Sequence, residues 1–124
     1  MDIQNPVHIP DFVGDDYTVV DVLATDAEGR TFQIEMQSWN ETALKERALY
    51  TWADLYEGQL AAGDGYTQLK PVIAIWILDE NTFRDAPSFH HRFVVCDPKR
   101  QVQLSKHLEI HTLELAKWRS GPSS

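Results

Sequence analysis

One cysteine, Cys96, stands in the whole sequence, so no intramolecular disulfide framework can form. No apolar run approaches the roughly 20 residues that a bilayer span requires. The longest, residues 71–78, has the length of a buried strand. Met1 is followed by an acidic residue and a proline-punctuated stretch where a signal peptide would carry a basic and then an apolar region, so a cytoplasmic protein without membrane contact is expected. A glycine-rich phosphate loop is missing, no serine sits in a nucleophile elbow, and Cys96 falls within or at the end of an apolar strand-like run. Phosphate-loop nucleotide chemistry and serine or cysteine nucleophiles are therefore set aside. Basic residues are also scarce, with 11 Lys and Arg against 19 Asp and Glu for a net charge of −8. Non-specific DNA affinity should be weak, although a carboxylate-rich site is acidic only until a divalent cation reverses its sign. Any basic strip must be local, and Lys45, Arg47, Arg92, Lys99 and Arg100 are its candidates, with a solvated surface the commoner role.

What is present suffices for one core: 124 residues, 43% of them hydrophobic. A single domain over residues 1–118 is expected, with a frayed tail at 119–124. Pro6, Pro10 and Gly14 punctuate residues 1–16, which read as an edge strand or extended lead-in. Residues 17–24 and Thr31–Gln37 read as strands, the second alternating polar and apolar in strict period two. The Asp26-Ala-Glu-Gly-Arg30 link with Gly29 in the left-handed position predicts a hairpin in which Asp26 faces Arg30. Counting inward puts Asp21 opposite Glu35 and Val19 opposite Gln37. The other face, with Val20, Val22, Ala24, Phe32, Ile34 and Met36, is the one expected to pack against a helix.

Ser38-Trp-Asn-Glu41 fits a capping box with Ser38 or Asn40 as N-cap, and a helical pattern runs on through Leu60 to a stop at Gly63. The apolar run 71–78 then predicts a central strand covered on both faces and parallel to its neighbour, closing a strand–helix–strand crossover. Residues 79–88 read as a loop, and 92–96 and 108–115 as two further strands.

Two carboxylates opposed on adjacent strands have Cβ atoms about 5 Å apart and repel by about 3 kcal/mol at an effective dielectric near 20. Solvent exposure on a polar face, a raised pKa or a bound divalent cation would relieve that repulsion. On pairing alone, exposure and function are evenly matched.

The runs Val20-Asp-Val-Leu-Ala-Thr-Asp26, Gly29 and Phe32-Gln-Ile-Glu-Met-Gln37 resemble the Asp and Glu-x-Lys half-motifs of PD-(D/E)XK nucleases, in the form found in the Rpn-like family of recombination-promoting nucleases and transposases. The resemblance continues through Arg47, Tyr50, Leu55-Tyr56, Gln59-Leu60, Gly63, Tyr66, Leu69-Lys-Pro-Val-Ile73, Ile77-Leu78, His91, Phe93 and Leu108-Glu-Ile-His111 with Leu113-Glu-Leu115, nearly the whole chain. It implies an α/β, restriction-endonuclease-like mixed central sheet with a long crossover helix. It also implies a DNA endonuclease that uses Mg²⁺ or Mn²⁺, and a homo-oligomer is among its possible states. Carried onto this sequence, Asp21 and Glu35 would bind the metal, the Met36 main-chain carbonyl would add a ligand, and Gln37 would stand where the general motif places a lysine beside the attacking water. An amide orients water but supplies no positive charge. Family members usually carry an additional N-terminal helix, so an N-terminally truncated form of the fold is expected. The rival expectation is a catalytically silent relative serving as an interaction or oligomerisation module.

His107, Glu109 and His111 alternate along a strand and so share a face, but a polar face is a commoner reason for that than zinc. His90 and His91 should point to opposite faces. Trp39, Trp52, Trp76 and Trp118 read as core or core-edge aromatics.

Overall fold

A computed structural model of the chain describes residues 2–8, 19–37, 42–79 and 81–120. Six strands, β1 (Asp2–His8), β2 (Val19–Thr25), β3 (Thr31–Gln37), β4 (Val72–Leu78), β5 (His90–Phe93) and β8 (Leu108–Glu114), form one sheet in the order β1-β2-β3-β4-β8-β5. β1, β2 and β3 form an antiparallel meander with β1 at the edge, whereas β3, β4 and β8 run parallel and β5 closes the far edge antiparallel to β8. The sheet is thus mixed, as expected, and the chain adopts a restriction-endonuclease-like α/β fold. A short ribbon of β6 (Cys96–Asp97) and β7 (Val102–Gln103) stands apart from it.

The β2–β3 hairpin forms as its turn residues dictate. Gly29 takes φ +84°, its N–H bonds the Asp26 carbonyl at 3.1 Å, and the Asp26 N–H bonds the Arg30 carbonyl at 3.1 Å. The Asp26 carboxylate also accepts from the N–H groups of Glu28 and Arg30, at 3.0 and 2.9 Å.

Helix α1 (Leu44–Glu57) links β3 to the parallel β4. It is shorter than the pattern suggests. Ala43 is its N-cap with no side-chain cap bond, and Gly58, not Gly63, is its C-cap, with the Gly58 N–H on the Asp54 carbonyl. Ser38, Trp39, Asn40 and Glu41 lie outside the described residues. Gly63, at φ +92°, belongs to the next turn, where the Asp64 carboxylate accepts the Ala61 N–H. Gln59 then clamps both main-chain groups of Lys70, donating to its carbonyl at 2.9 Å and accepting its N–H at 2.7 Å. That clamp sets where β4 begins.

Leu44, Ala48 and Trp52, spaced one turn apart, pack on Ala74, Trp76, Leu78, Leu108 and Ile110 to make the core. This reverses one expectation. The apolar face of the β2–β3 hairpin is not the face the helix covers: Gln33, Glu35 and Gln37 are the buried positions of β3, while Phe32 and Ile34 are half-buried and Met36 is 44% exposed. Right-handed β–α–β crossovers fix the side on which a helix lies, and that geometry outranks the strand's own hydrophobic pattern.

Two strand expectations are also corrected. β5 ends at Phe93, so Cys96 is an exposed residue of the β6–β7 ribbon and not part of an apolar strand. β8 ends at Glu114, and Leu115 opens a short helix, α2 (Leu115–Ser120), whose Arg119 pairs with Asp79. Among the described residues no helix is long and apolar enough to cross a membrane.

Candidate functional site

Register brings the half-motifs together. Asp21 stands directly opposite Glu35, and Val19 opposite Gln37, as counting from the turn requires. On its outer side Asp21 is in register with His8 of β1. Glu35 and Gln37, two residues apart on β3, share the face covered by α1, and are 3% and 1% exposed, while Asp21 is half-buried.

A buried carboxylate needs a partner, and α1 supplies it. Arg47 donates from Nη2 to Glu35 Oε1 at 2.7 Å and from Nη1 to Gln37 Oε1 at 2.8 Å. Its guanidinium lies 5.4 Å from the ring centre of Trp76, which neighbours Glu35 on β4. The other Glu35 oxygen accepts from the Gln33 amide at 2.9 Å. Arg47 is therefore more than part of a solvated basic surface. It spans the glutamate and glutamine of the motif, and a count of helical turns could not reveal this because the partners lie on a strand.

These oxygen donors suit a hard divalent cation: two carboxylates face each other across the strand pair, and the Gln37 amide follows on the same face. Met36 directs its side chain to the opposite, more open face, so its main-chain carbonyl is what it can offer. Among the described residues no group of three or more His, Cys, Asp or Glu side chains is arranged to hold a metal. A cation here would rest on Asp21 and Glu35, with amide, main-chain or water oxygens completing its shell.

Beside the site an apolar cavity of about 230 Å³ opens between α1 and the sheet, lined in part by Leu44, Trp76, Phe83, Phe93 and Ile110. The remaining basic candidates are largely engaged: Lys45 lies over the Phe83 ring, Arg92 pairs with Glu109 and Arg100 with Asp97. His107 bonds Tyr56 at 2.8 Å, so it does not join Glu109 and His111 in one cluster. His90 and His91 do take opposite faces, His90 meeting His111 and His91 packing on Phe83. Trp76 is core and Trp52 its edge, but Trp118 is 59% exposed.

A second buried carboxylate escaped the sequence reading. Glu114, fully buried at the end of β8, accepts the N–H groups of Thr82 and Phe83 and pairs with Lys117 at 2.9 Å, while Lys117 also donates to the Phe83 carbonyl. It ties the loop after β4 to α2.

A mixed sheet with opposed Asp and Glu on its antiparallel hairpin, backed by a crossover helix, defines a nuclease-like class. Residues 1–123 match the profile of the PD-(D/E)XK nuclease family transposases, and the chain belongs to that family. No curated protein and no solved structure matches it.

Proposed function

We propose that this chain is a Mg²⁺- or Mn²⁺-dependent DNA endonuclease of the recombination-promoting type, acting in the cytoplasm, with Asp21 and Glu35 as metal ligands. The observation that carries the reading is the register of Asp21 against Glu35, with Gln37 two residues on and Arg47 reaching both motif side chains from α1. When bound, the divalent cation would polarise the scissile phosphate and lower the pKa of a coordinated water. The Met36 carbonyl would complete the ligand set from the main chain, and the Gln37 amide would orient the attacking water by hydrogen bonding. Gln33 holds Glu35 in place through its second oxygen. Arg47 supplies the positive charge that Gln37 does not, and lies close enough to both motif side chains to meet a phosphate oxygen there.

Titration of Mg²⁺ and Mn²⁺ into the chain and its Asp21→Ala and Glu35→Gln variants, beside a plasmid-nicking assay, tests this. Binding and nicking that vanish together in the variants support it. Absence of binding in the parent would favour the second reading, an inactive relative that acts as an interaction module. The observation favouring that reading is the sheet face carrying half-buried Phe32, Ile34, Ile75 and Ile77 with exposed Met36, and concentration-dependent sedimentation would register self-association.

A further inference from the structure

At the other side of the sheet, on the face turned away from α1, β5 and β8 bring together His90, Arg92, Glu109 and His111. His90 Nε2 lies 2.8 Å from His111 Nδ1, with the two ring planes within 16° of each other. His111 Nε2 lies 2.6 Å from Glu109 Oε1, and Arg92 Nε donates to the same oxygen at 2.9 Å. The hydrogen bond from Arg92 chiefly holds the Glu109 carboxyl below its usual range against the opposing effect of burial, with His111 adding to the depression. Because Arg92 Nε donates to Glu109 Oε1, that oxygen acts as an acceptor, so His111 carries its proton on Nε2 and turns an Nδ1 lone pair toward His90. A carboxylate behind one ring nitrogen, with the other nitrogen free to ligate, is the arrangement that orients metal-binding histidines.

We propose that His90 Nε2 and His111 Nδ1 form a two-nitrogen site for a borderline transition-metal ion such as Zn²⁺, with Glu109, itself held by Arg92, as the positioning residue. The ion takes the place of the proton shared by the rings. The His90 ring proton moves from Nε2 to Nδ1 through solvent, so both rings stay neutral and no net proton is released. Two imidazole nitrogens on one tetrahedral zinc stand about 3.3 Å apart at zinc–nitrogen distances near 2.0 Å, so His90 must retreat by about half an ångström and turn until the two lone pairs, which now lie along the hydrogen bond, converge on the ion. His90 is exposed, which allows that movement and admits water to the remaining positions. Imidazole nitrogens select zinc, copper or nickel over magnesium, so this site and the carboxylate pair at Asp21 and Glu35 take different ions. Because β5 is an edge strand, the ion would clip it to β8.

The test is calorimetric titration of ZnCl₂ into the Asp21→Ala chain, which removes the carboxylate pair from the reckoning, and into the same chain with His90→Ala, His111→Ala or Glu109→Gln. The expected result is one equivalent bound in the Asp21→Ala chain, at least about tenfold weaker binding in either histidine variant, and a smaller loss in Glu109→Gln. Nitrogen-15 spectra of the imidazoles should show the His90 and His111 ring signals moving together with zinc. Since His90 is exposed, His90→Ala keeps the test decisive even if His111→Ala misfolds. No zinc bound in the parent, or zinc binding unchanged by His90→Ala, would overturn the proposal.

Discussion

Arg47 holds two motif side chains at once, and the worth of that contact depends on how dry each partner is. The glutamate is buried while the arginine side chain is 35% exposed, so solvent screens part of the interaction. Arg47→Met keeps the stem packed on Trp76 but leaves Glu35 without this cation, and should destabilise the fold by about 1–3 kcal/mol. Urea titration at pH 7 measures this, and an unchanged midpoint would mean that Glu35 needs no countercharge from α1. Glu114 is a drier case, since it is fully buried and Lys117 nearly so. Removing the carboxylate in Glu114→Ala takes the counter-ion from the Lys117 ammonium, which keeps the Phe83 carbonyl, and the acceptor from two main-chain N–H groups, at a cost of about 3–5 kcal/mol. The same titration should show it as the larger loss of the two.

At the scale of elements, the β2–β3 hairpin is decided by its turn. Gly29 at φ +84° occupies backbone space that a β-branched residue reaches only under strain, and an added Cβ would also meet the Lys70 side chain at 3.4 Å. Gly29→Val should therefore cost about 1–2 kcal/mol. Because the turn sets the register of Asp21 against Glu35, metal affinity should fall in the same variant. A variant that melts earlier but binds Mn²⁺ with unchanged affinity would show that the sheet partners fix the register without the turn. Helix α1 was legible as an element but not in its limits. Its apolar residues recur at helical spacing, whereas Gly58 ends it in ordinary right-handed conformation, which leaves no mark in composition.

Across the whole molecule the response to acid follows from carboxyl groups whose pKa the fold holds low. For Asp26 burial acts to raise the pKa, but the Arg30 N–H and side chain and the Glu28 N–H together hold it below the usual carboxylate value. Glu109 is held low by Arg92 first, against burial, and then by His111. A depressed carboxyl pKa stabilises the fold above the ordinary values of 3.8 and 4.5, and that contribution is lost as pH falls through the lowered folded-state values. Urea midpoints should accordingly be insensitive to these two groups from pH 7 down to about 5 and fall below that. Glu109→Gln should flatten part of the acid limb, and an unaltered limb would assign the loss to other carboxylates.

The hairpin register and the Asp21–Glu35 pairing follow from the sequence alone, because a period of two and a glycine-bearing turn admit one alignment in which both hairpin faces stay uniform. The buried nature of the acidic face does not follow. It depends on the side to which the β3–α1–β4 crossover swings, a chirality of the twisted sheet that hydrophobic patterning does not encode. Once α1 lies there, Arg47 is carried onto Glu35 and Gln37. The same three-dimensional pairing, between strands joined only through the β6–β7 ribbon, sets His90 beside His111, 21 residues further along the chain.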